Sequence, residues 1–324
     1  VDKKQKEFID NLLRIKEIGA LSGLIIVMIV FTLLSDKFLT GQNFVGIFTT
    51  TSELGIIAIG ICFLMISGEF DLSVGSVFAV APMIGALLGN SGVPMIFAFL
   101  AGLIVAALIG LLNGIITLKA KIPSFIATLG SMMFFRGLLL AVSGGFPIDY
   151  KGNEIAFLNA LGGKIFGGMR ASGIWFILGT LILSIILTQT RYGNHVSAVG
   201  GNPGTAKAVG INVNKVKIIN FITCAVFAGL AGFTMFGRFH SIDPTAGSLL
   251  ELEAIASAVI GGALLTGGYG SIVGAFIGAF LIGVMRSGLI LAGAPSYWYQ
   301  GFIGVILVLS VIMNTKIRKA VVGE

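Results

Sequence analysis

The stretch VPMIFAFLAGLIVAALIGLLNGIIT, residues 93–117, decides the architecture. It runs 25 residues without a single Asp, Glu, Lys or Arg. Wound as a helix it is about 37 Å long, enough to cross the roughly 30 Å hydrocarbon core of a bilayer. Its only polar side chains are Asn113 and Thr117. Apolar and polar residues do not alternate along it, which excludes the strand of a membrane barrel. Gly102, Ala106, Gly110 and Gly114 recur every four residues. Small residues at that spacing make a seam where another helix can approach closely. The spacing leaves open whether that helix belongs to the same chain or to a second one.

Nine further runs of the same kind flank this one, at roughly 18–34, 44–66, 73–89, 122–143, 172–188, 218–236, 252–266, 270–291 and 298–314. Gly270, Gly274 and Gly278 form a second seam in the ninth span. The composition agrees. The 324-residue chain is 56% apolar and 11% charged, with a mean hydropathy of +1.02, whereas a soluble domain carries about 25% charged residues. Twenty-one basic and 14 acidic side chains cannot coat a soluble globule of this size, so a soluble enzyme is excluded. A disordered chain, which would be polar, is excluded too. So is a disulfide-stapled scaffold, because Cys62 and Cys224 both sit in apolar runs. The sequence predicts an all-α polytopic membrane protein of about ten transmembrane helices.

Ten spans put both termini on one side. Fourteen Lys and Arg lie on that side and five in the opposite loops. Positive charge is retained on the cytoplasmic face, so both termini are expected in the cytoplasm. The net charge of +7 then reflects membrane topology and gives no reason to expect a nucleic-acid partner. Residues 1–17 carry charges of both signs and no small-residue cleavage site follows, unlike a signal peptide. Phe8, Leu12 and Ile15 recur there at helical spacing, which predicts an amphipathic helix on the cytoplasmic face of the bilayer. The division expected is 1–17 as that helix, 18–315 as the transmembrane domain and 316–324 as a cytoplasmic tail.

The two halves echo each other. Gly85-Ala86-Leu87-Leu88 recurs as Gly262-Ala263-Leu264-Leu265, Pro123-Ser124-Phe125 as Pro295-Ser296-Tyr297, and Asn113-Gly114 aligns with Ser287-Gly288 between them. A repeat displaced by five spans is inverted in the membrane, and inverted repeats are how many transporters build two halves that rock about a central path.

Several polar groups interrupt the apolar runs. Ser67-Gly-Glu-Phe-Asp-Leu-Ser-Val-Gly-Ser76 joins the second and third spans. Asp71 and Ser73 are good helix N-caps, so a capped buried turn and a gate containing Glu69, Asp71 and Ser73 are both compatible with the residues. Glu53, Arg136 and Arg286 lie inside spans, where a lone charge costs about 2.5–3.5 kcal/mol. Each must therefore face the bundle interior, either paired or lining a permeation route. No catalytic set, no Cys/His cluster and no phosphate-binding glycine loop is present. No metal or cofactor is expected on this chain. The longest loops, 144–171 and 189–217, are too short to fold as a nucleotide-binding domain. Within 189–217, Asn202 can cap a short helix, Pro203 suits its first turn and Gly210 its end. On these residues a docking knob and an ordinary solvated loop are both compatible.

The run GGNPGTAKAVGI at 200–211 resembles the coupling loop of bacterial sugar ABC transporter permeases, the ribose permease family. EFDLSVGS at 69–76 is similar to that family's GIDLSVGS signature, with Glu69 and Phe70 in place of Gly and Ile. DPTAG at 243–247, ELEAIA at 251–256 and GGALLTGG at 261–268 follow in the same order. The resemblance covers roughly residues 40–315. It implies a type II ABC importer-like domain, with a second permease copy or paralogue beside it in the lipid bilayer of the bacterial inner membrane. It also implies separate ATPase subunits carrying ATP and Mg beneath the knob, and a solute-binding protein outside. The residues so implicated in ATPase coupling are Gly201, Asn202, Pro203, Thr205, Ala206, Lys207, Val209 and Gly210. Ribose or a similar monosaccharide is the expected cargo. A nucleoside, a furanose signal molecule or a branched-chain amino acid fits the same fold, and an ion-coupled secondary transporter using Glu53 and Asp71 is a more distant alternative.

Overall fold

The computed structural model describes residues 17–295, 297–306, 308, 309 and 312. The expected amphipathic helix before Glu17, the tail 316–324 and the end of the span 298–314 lie outside these residues. The helices are α1 (Ile18–Leu34), α2 (Gly41–Ile66), α3 (Val74–Asn90), α4 (Met95–Ala120), α5 (Ser124–Ser143), α6 (Ile155–Gly162), α7 (Ser172–Gln189), α8 (Arg191–Gly201), α9 (Pro203–Ala208), α10 (Val213–Phe239), α11 (Leu250–Ile260) and α12 (Ile272–Leu291). Helical backbone resumes at residue 298. Strands β1 (Ile148–Asp149) and β2 (Ser241–Ile242) pair antiparallel, Ile148 opposite Ile242. Among the described residues six helices, α2, α4, α5, α7, α10 and α12, are long and apolar enough to cross a membrane, while α1 and α3 are apolar and 17 residues each. The chain is a multi-pass, mostly helical membrane protein.

Several helix starts follow from local chemistry. Thr40 caps α2 by accepting from the Asn43 N–H, Asn212 caps α10 through Lys215 N–H, and Ser271 caps α12 through Gly274 N–H. Each satisfies one of the donors a helix start leaves unpaired. One expected span is corrected. The run 252–266 is helical only to Ile260. Gly262, Gly267 and Gly268 adopt positive φ, which unwinds the chain into a link before Ser271. The GALL echo falls with it: Gly85–Leu88 is helical, whereas Gly262–Leu265 lies in that link. Two expected loops also contain structure. Residues 144–171 hold β1, α6 and a hairpin closed by the Lys164–Arg170 bridge, and 189–217 holds α8 as well as the short helix.

Two long helices, α2 and α10, pack on each other at the centre. Helix α4 lies on α10 with α3 against both, and α12 lies on α2 with α11 against both. Lipid tails are as apolar as leucine, so such contacts gain from close packing more than from water release. The glycine seams supply the closeness within this one chain. A Cβ on Gly110 of α4 would collide with the Phe221 carbonyl of α10, and one on Gly278 of α12 with the Ser257 carbonyl of α11.

Helix α5 is held differently. Among helices it packs on α3 and α4, while Phe125, Met133, Phe134 and Val142 are exposed. One face carries a polar stripe at every fourth residue. Ser124 Oγ accepts from Phe70 N–H at 3.1 Å, Thr128 Oγ1 from Leu72 N–H at 3.0 Å, and the Met132 carbonyl from Ser76 Oγ at 2.8 Å. Arg136 ends the stripe, donating to the carbonyls of Pro244, Ala246 and Gly75.

The links that charge counting assigned to one side meet in space. Besides the β1–β2 pairing, Asn90 bonds the backbone at Asp149 and Lys151, and Glu154 accepts from Met95 N–H. At the opposite end, Gly68, Gly200 and Gly267 stack backbone on backbone, and Gly268 N–H donates to the Ile66 carbonyl at 2.8 Å.

Candidate functional site: the α8–α10 knuckle and the link beneath it

The knuckle forms as its sequence dictates. Asn202 Oδ1 accepts from Thr205 N–H at 3.0 Å and Pro203 occupies the first turn of α9. Gly210, at φ +88°, closes the end, letting Ile211 N–H reach back to the Ala206 carbonyl. A residue with a Cβ is strained at that φ. Gly201, Asn202, Pro203, Thr205, Lys207, Val209 and Gly210 are exposed, and Ala206 alone is buried, pinning the turn to the core. Val209 stands 71% exposed. Seven of the eight residues assigned to coupling therefore form one exposed patch, fixed to the core through Ala206.

Helix α8, which the glycine-rich sequence disguised, delivers the knuckle. Gly193 and Gly200 look like helix breakers but are buried contact points. A Cβ on Gly200 would strike the Ile66 carbonyl at the end of α2. The three motifs that carry the family resemblance thus converge: Gly200 from the first, Gly267 and Gly268 from the third, and Gly68 just before the second.

The link 67–73 joins this junction to the bundle. Asp71 and Ser73 are fully buried. Ser73 does not cap α3 with its own hydroxyl; it donates that hydroxyl to Asp71 Oδ1 at 2.6 Å, and its N–H goes to the same oxygen at 2.8 Å. Asn113, from the 93–117 stretch, donates to Ser73 Oγ at 2.8 Å and lies 3.4 Å from both Asp71 oxygens. These bonds make a clasp between the link and α4.

The other charges proposed for a path are not gathered at one point. Glu53 pairs with Arg238 at 3.1 Å, Glu69 with Lys217 at 2.5 Å, and Arg286 with Glu253 at 2.7 Å. Tyr299 also donates to Glu253, and Arg286 lies over its ring. Arg136 is held by carbonyls. Each of these four has a partner, as its cost in an apolar medium requires. Sequence reasoning missed the partners Arg238, Glu253, Lys217 and Asn113. The span read as 218–236 stops short of Arg238, whereas α10 continues to Phe239 and carries it in its last turn.

The profile of a family described as branched-chain amino acid transport system / permease component matches residues 43–311. The chain belongs to this permease family. It is 35% identical over 301 residues to the ribose import permease RbsC of Bacillus subtilis, 93% of each chain. It is 36% identical over 303 residues to RbsC of Escherichia coli K12, covering 92% of this chain and 93% of that one. It is 34% identical over 304 residues to the xylose/arabinose import permease XylH of Sulfolobus acidocaldarius, covering 91% and 84%. No solved structure matches. The chain is a transporter component, not itself an enzyme.

Proposed function

We propose that the chain is the membrane permease subunit of an ATP-driven importer that carries a monosaccharide delivered by a solute-binding protein. The observation that carries this is the similarity, across nine-tenths of the chain, to import permeases named for ribose and for xylose/arabinose. In this reading residues 18–315 are one transmembrane domain of ten crossings, with α11 a short eighth. An inverted repeat accounts for the packing: exchanging each span for the one five later turns α4-on-α10 into α12-on-α2, and α3's two partners into α11's. The meeting of Gly68, Gly200 and Gly267 at one end and of β1 with β2 at the other supports the alternation of crossings, and the excess of Lys and Arg on the first end makes that end the cytoplasmic one in a bacterial inner membrane.

The mechanism then follows from the knuckle. Separate ATPase subunits, holding ATP and Mg, seat the exposed patch from Gly201 to Gly210. Their closure moves α8 and α9, and the junction at Gly200 passes that motion to the end of α2 and to the link between α11 and α12. Two permeases, identical or paralogous, alternate between outward and inward access. A ligand shifts such an equilibrium only by binding one state better than the other; here ATP acts through the ATPase and this chain binds no cofactor. The Glu253–Arg286 pair stiffens one half by tying α11 to α12, and the Glu53–Arg238 pair ties α2 to α10 across the two.

Reconstitution tests the reading. The chain, its neighbouring ATPase and the binding protein in proteoliposomes should take up labelled ribose or xylose, with leucine as the comparison, only when ATP is supplied. Uptake by the chain alone, driven by a sodium or proton gradient, refutes it.

A further inference from the structure

We infer that Glu69 and Lys217 form a positioning pair that fastens the exit of the knuckle to the central link, so that the knuckle is gripped at both ends. The inference deepens the importer reading and rests on it for its effect on transport. The geometry is specific. The knuckle leaves the bundle at Gly200 and returns in the first turn of α10. At its entry, Gly200 packs on Ile66 and Gly268 through backbone contacts alone. At its return, Lys217 Nζ meets Glu69 Oε1 at 2.5 Å, with 13% and 11% of the two side chains exposed. Both anchor points are therefore on one short segment, residues 66–69, although the pair itself is 148 residues apart in sequence.

From that segment the connection continues. Phe70 N–H and Leu72 N–H are held by Ser124 and Thr128 of α5, and Asp71 and Ser73 by Asn113 of α4. A push on a loop fastened at one end swivels the loop; on a loop fastened at both ends it moves the segment that holds them. With the pair intact, motion of α9 is delivered to the link and so to α5. With it broken, the direct tie between the start of α10 and the link is lost, and α10 stays joined to α8 through Tyr192, whose hydroxyl bonds Val216 and Asn220. The carboxylate stands at the position where the similar GIDLSVGS signature has glycine, so this fastening is a feature of this chain's own sequence.

The test uses the full chain assembled with its ATPase and binding protein in proteoliposomes and reads solute imported per ATP hydrolysed. Glu69→Gln and Lys217→Gln are each expected to lower that ratio at least threefold while the ATPase still co-purifies. The exchanged variant Glu69→Lys/Lys217→Glu is expected to return it to within twofold of the parent. Parental ratios in both single variants overturn the proposal, as does an exchange that rescues nothing. A merely structural role would lower assembly and leave the ratio alone, which also overturns it. A second measurement needs no partner: a double-mutant cycle of the two glutamine variants on the melting midpoint of the purified chain. Shifts smaller in the double variant than their sum support the fastening, and additive shifts overturn it. If the parent shows no ATP-driven uptake, the importer reading falls and this cycle alone decides whether the fastening exists.

Discussion

Gly200→Ala should destabilise the chain, and Gly201→Ala, one residue on, should not. Both exchanges add one methyl group at the end of α8. At Gly200 the methyl carbon would overlap the Ile66 carbonyl and crowd the Gly268 N–H that bonds it. Forcing an extra methyl into a packed contact costs about 1–3 kcal/mol, and the disturbed hydrogen bond about 1 kcal/mol more. Alanine's helix preference returns about 0.5–1 kcal/mol, which leaves a net loss of about 2 kcal/mol. At Gly201 the nearest atom is Gly268 Cα at 3.9 Å, an ordinary contact, so the exchange is neutral or slightly stabilising. On melting of the purified chain, Gly200→Ala should fall roughly 4 °C and Gly201→Ala should stay within about 1 °C. Intermediate packing is tested by Gly200→Ser, which should resemble alanine. Equal melting of Gly200→Ala and Gly201→Ala would refute the claim that three backbones touch at this point.

Replacing Pro203–Val209 by a Gly/Ser linker should leave insertion intact but abolish ATP-dependent uptake, read in the same proteoliposomes; undiminished uptake counts against the docking role. Glu53→Leu strands Arg238 without its carboxylate and should cost about 3 kcal/mol, seen as a lower melting midpoint. Glu53→Leu/Arg238→Leu should recover most of that loss if the pair is what matters. Asp243, exposed in the loop after β2, accepts from Thr245 Oγ1 at 2.6 Å and Thr245 N–H at 2.7 Å, and these bonds hold its carboxyl below the ordinary carboxylate range. Its contribution to stability is thus complete above the unfolded value of about 3.9 and fades as pH falls through the lower folded value. Thr245→Ala should raise the Asp243 pKa towards the ordinary value, measured by carbon-13 titration of labelled aspartate, and an unmoved midpoint would sink the assignment.

Apolar runs made most helices readable, because length and hydropathy are local properties. Span 18–34 coincides with α1, and 172–188 differs from α7 by one residue. The knuckle was readable for the same reason: Asn202, Pro203 and Gly210 act on backbone groups within a few residues of themselves. Helix α8 was hidden because Gly193 packs on the end of the preceding helix and Gly200 on distant segments, and a glycine chosen for closeness looks like one chosen for a turn. The partners of buried charges were hidden more completely. Glu53 and Arg238 are 185 residues apart and Arg286 and Glu253 33 apart, distances that only the folded chain closes. For the same reason the polar residues 53, 69, 71, 73, 136 and 286 invited one shared role, whereas the structure distributes them among separate pairings.

The stripe along α5 has a consequence for assembly. A helix with apolar sides all round has no fixed azimuth in lipid, because hydrocarbon solvates every side alike. Ser124, Thr128, Met132 and Arg136 remove that freedom by pinning one side every four residues. The far side, with Met133 and Phe134, is therefore aimed before any neighbour arrives. Whatever lies against it meets a surface already oriented, and the ordering cost of association has been met during folding.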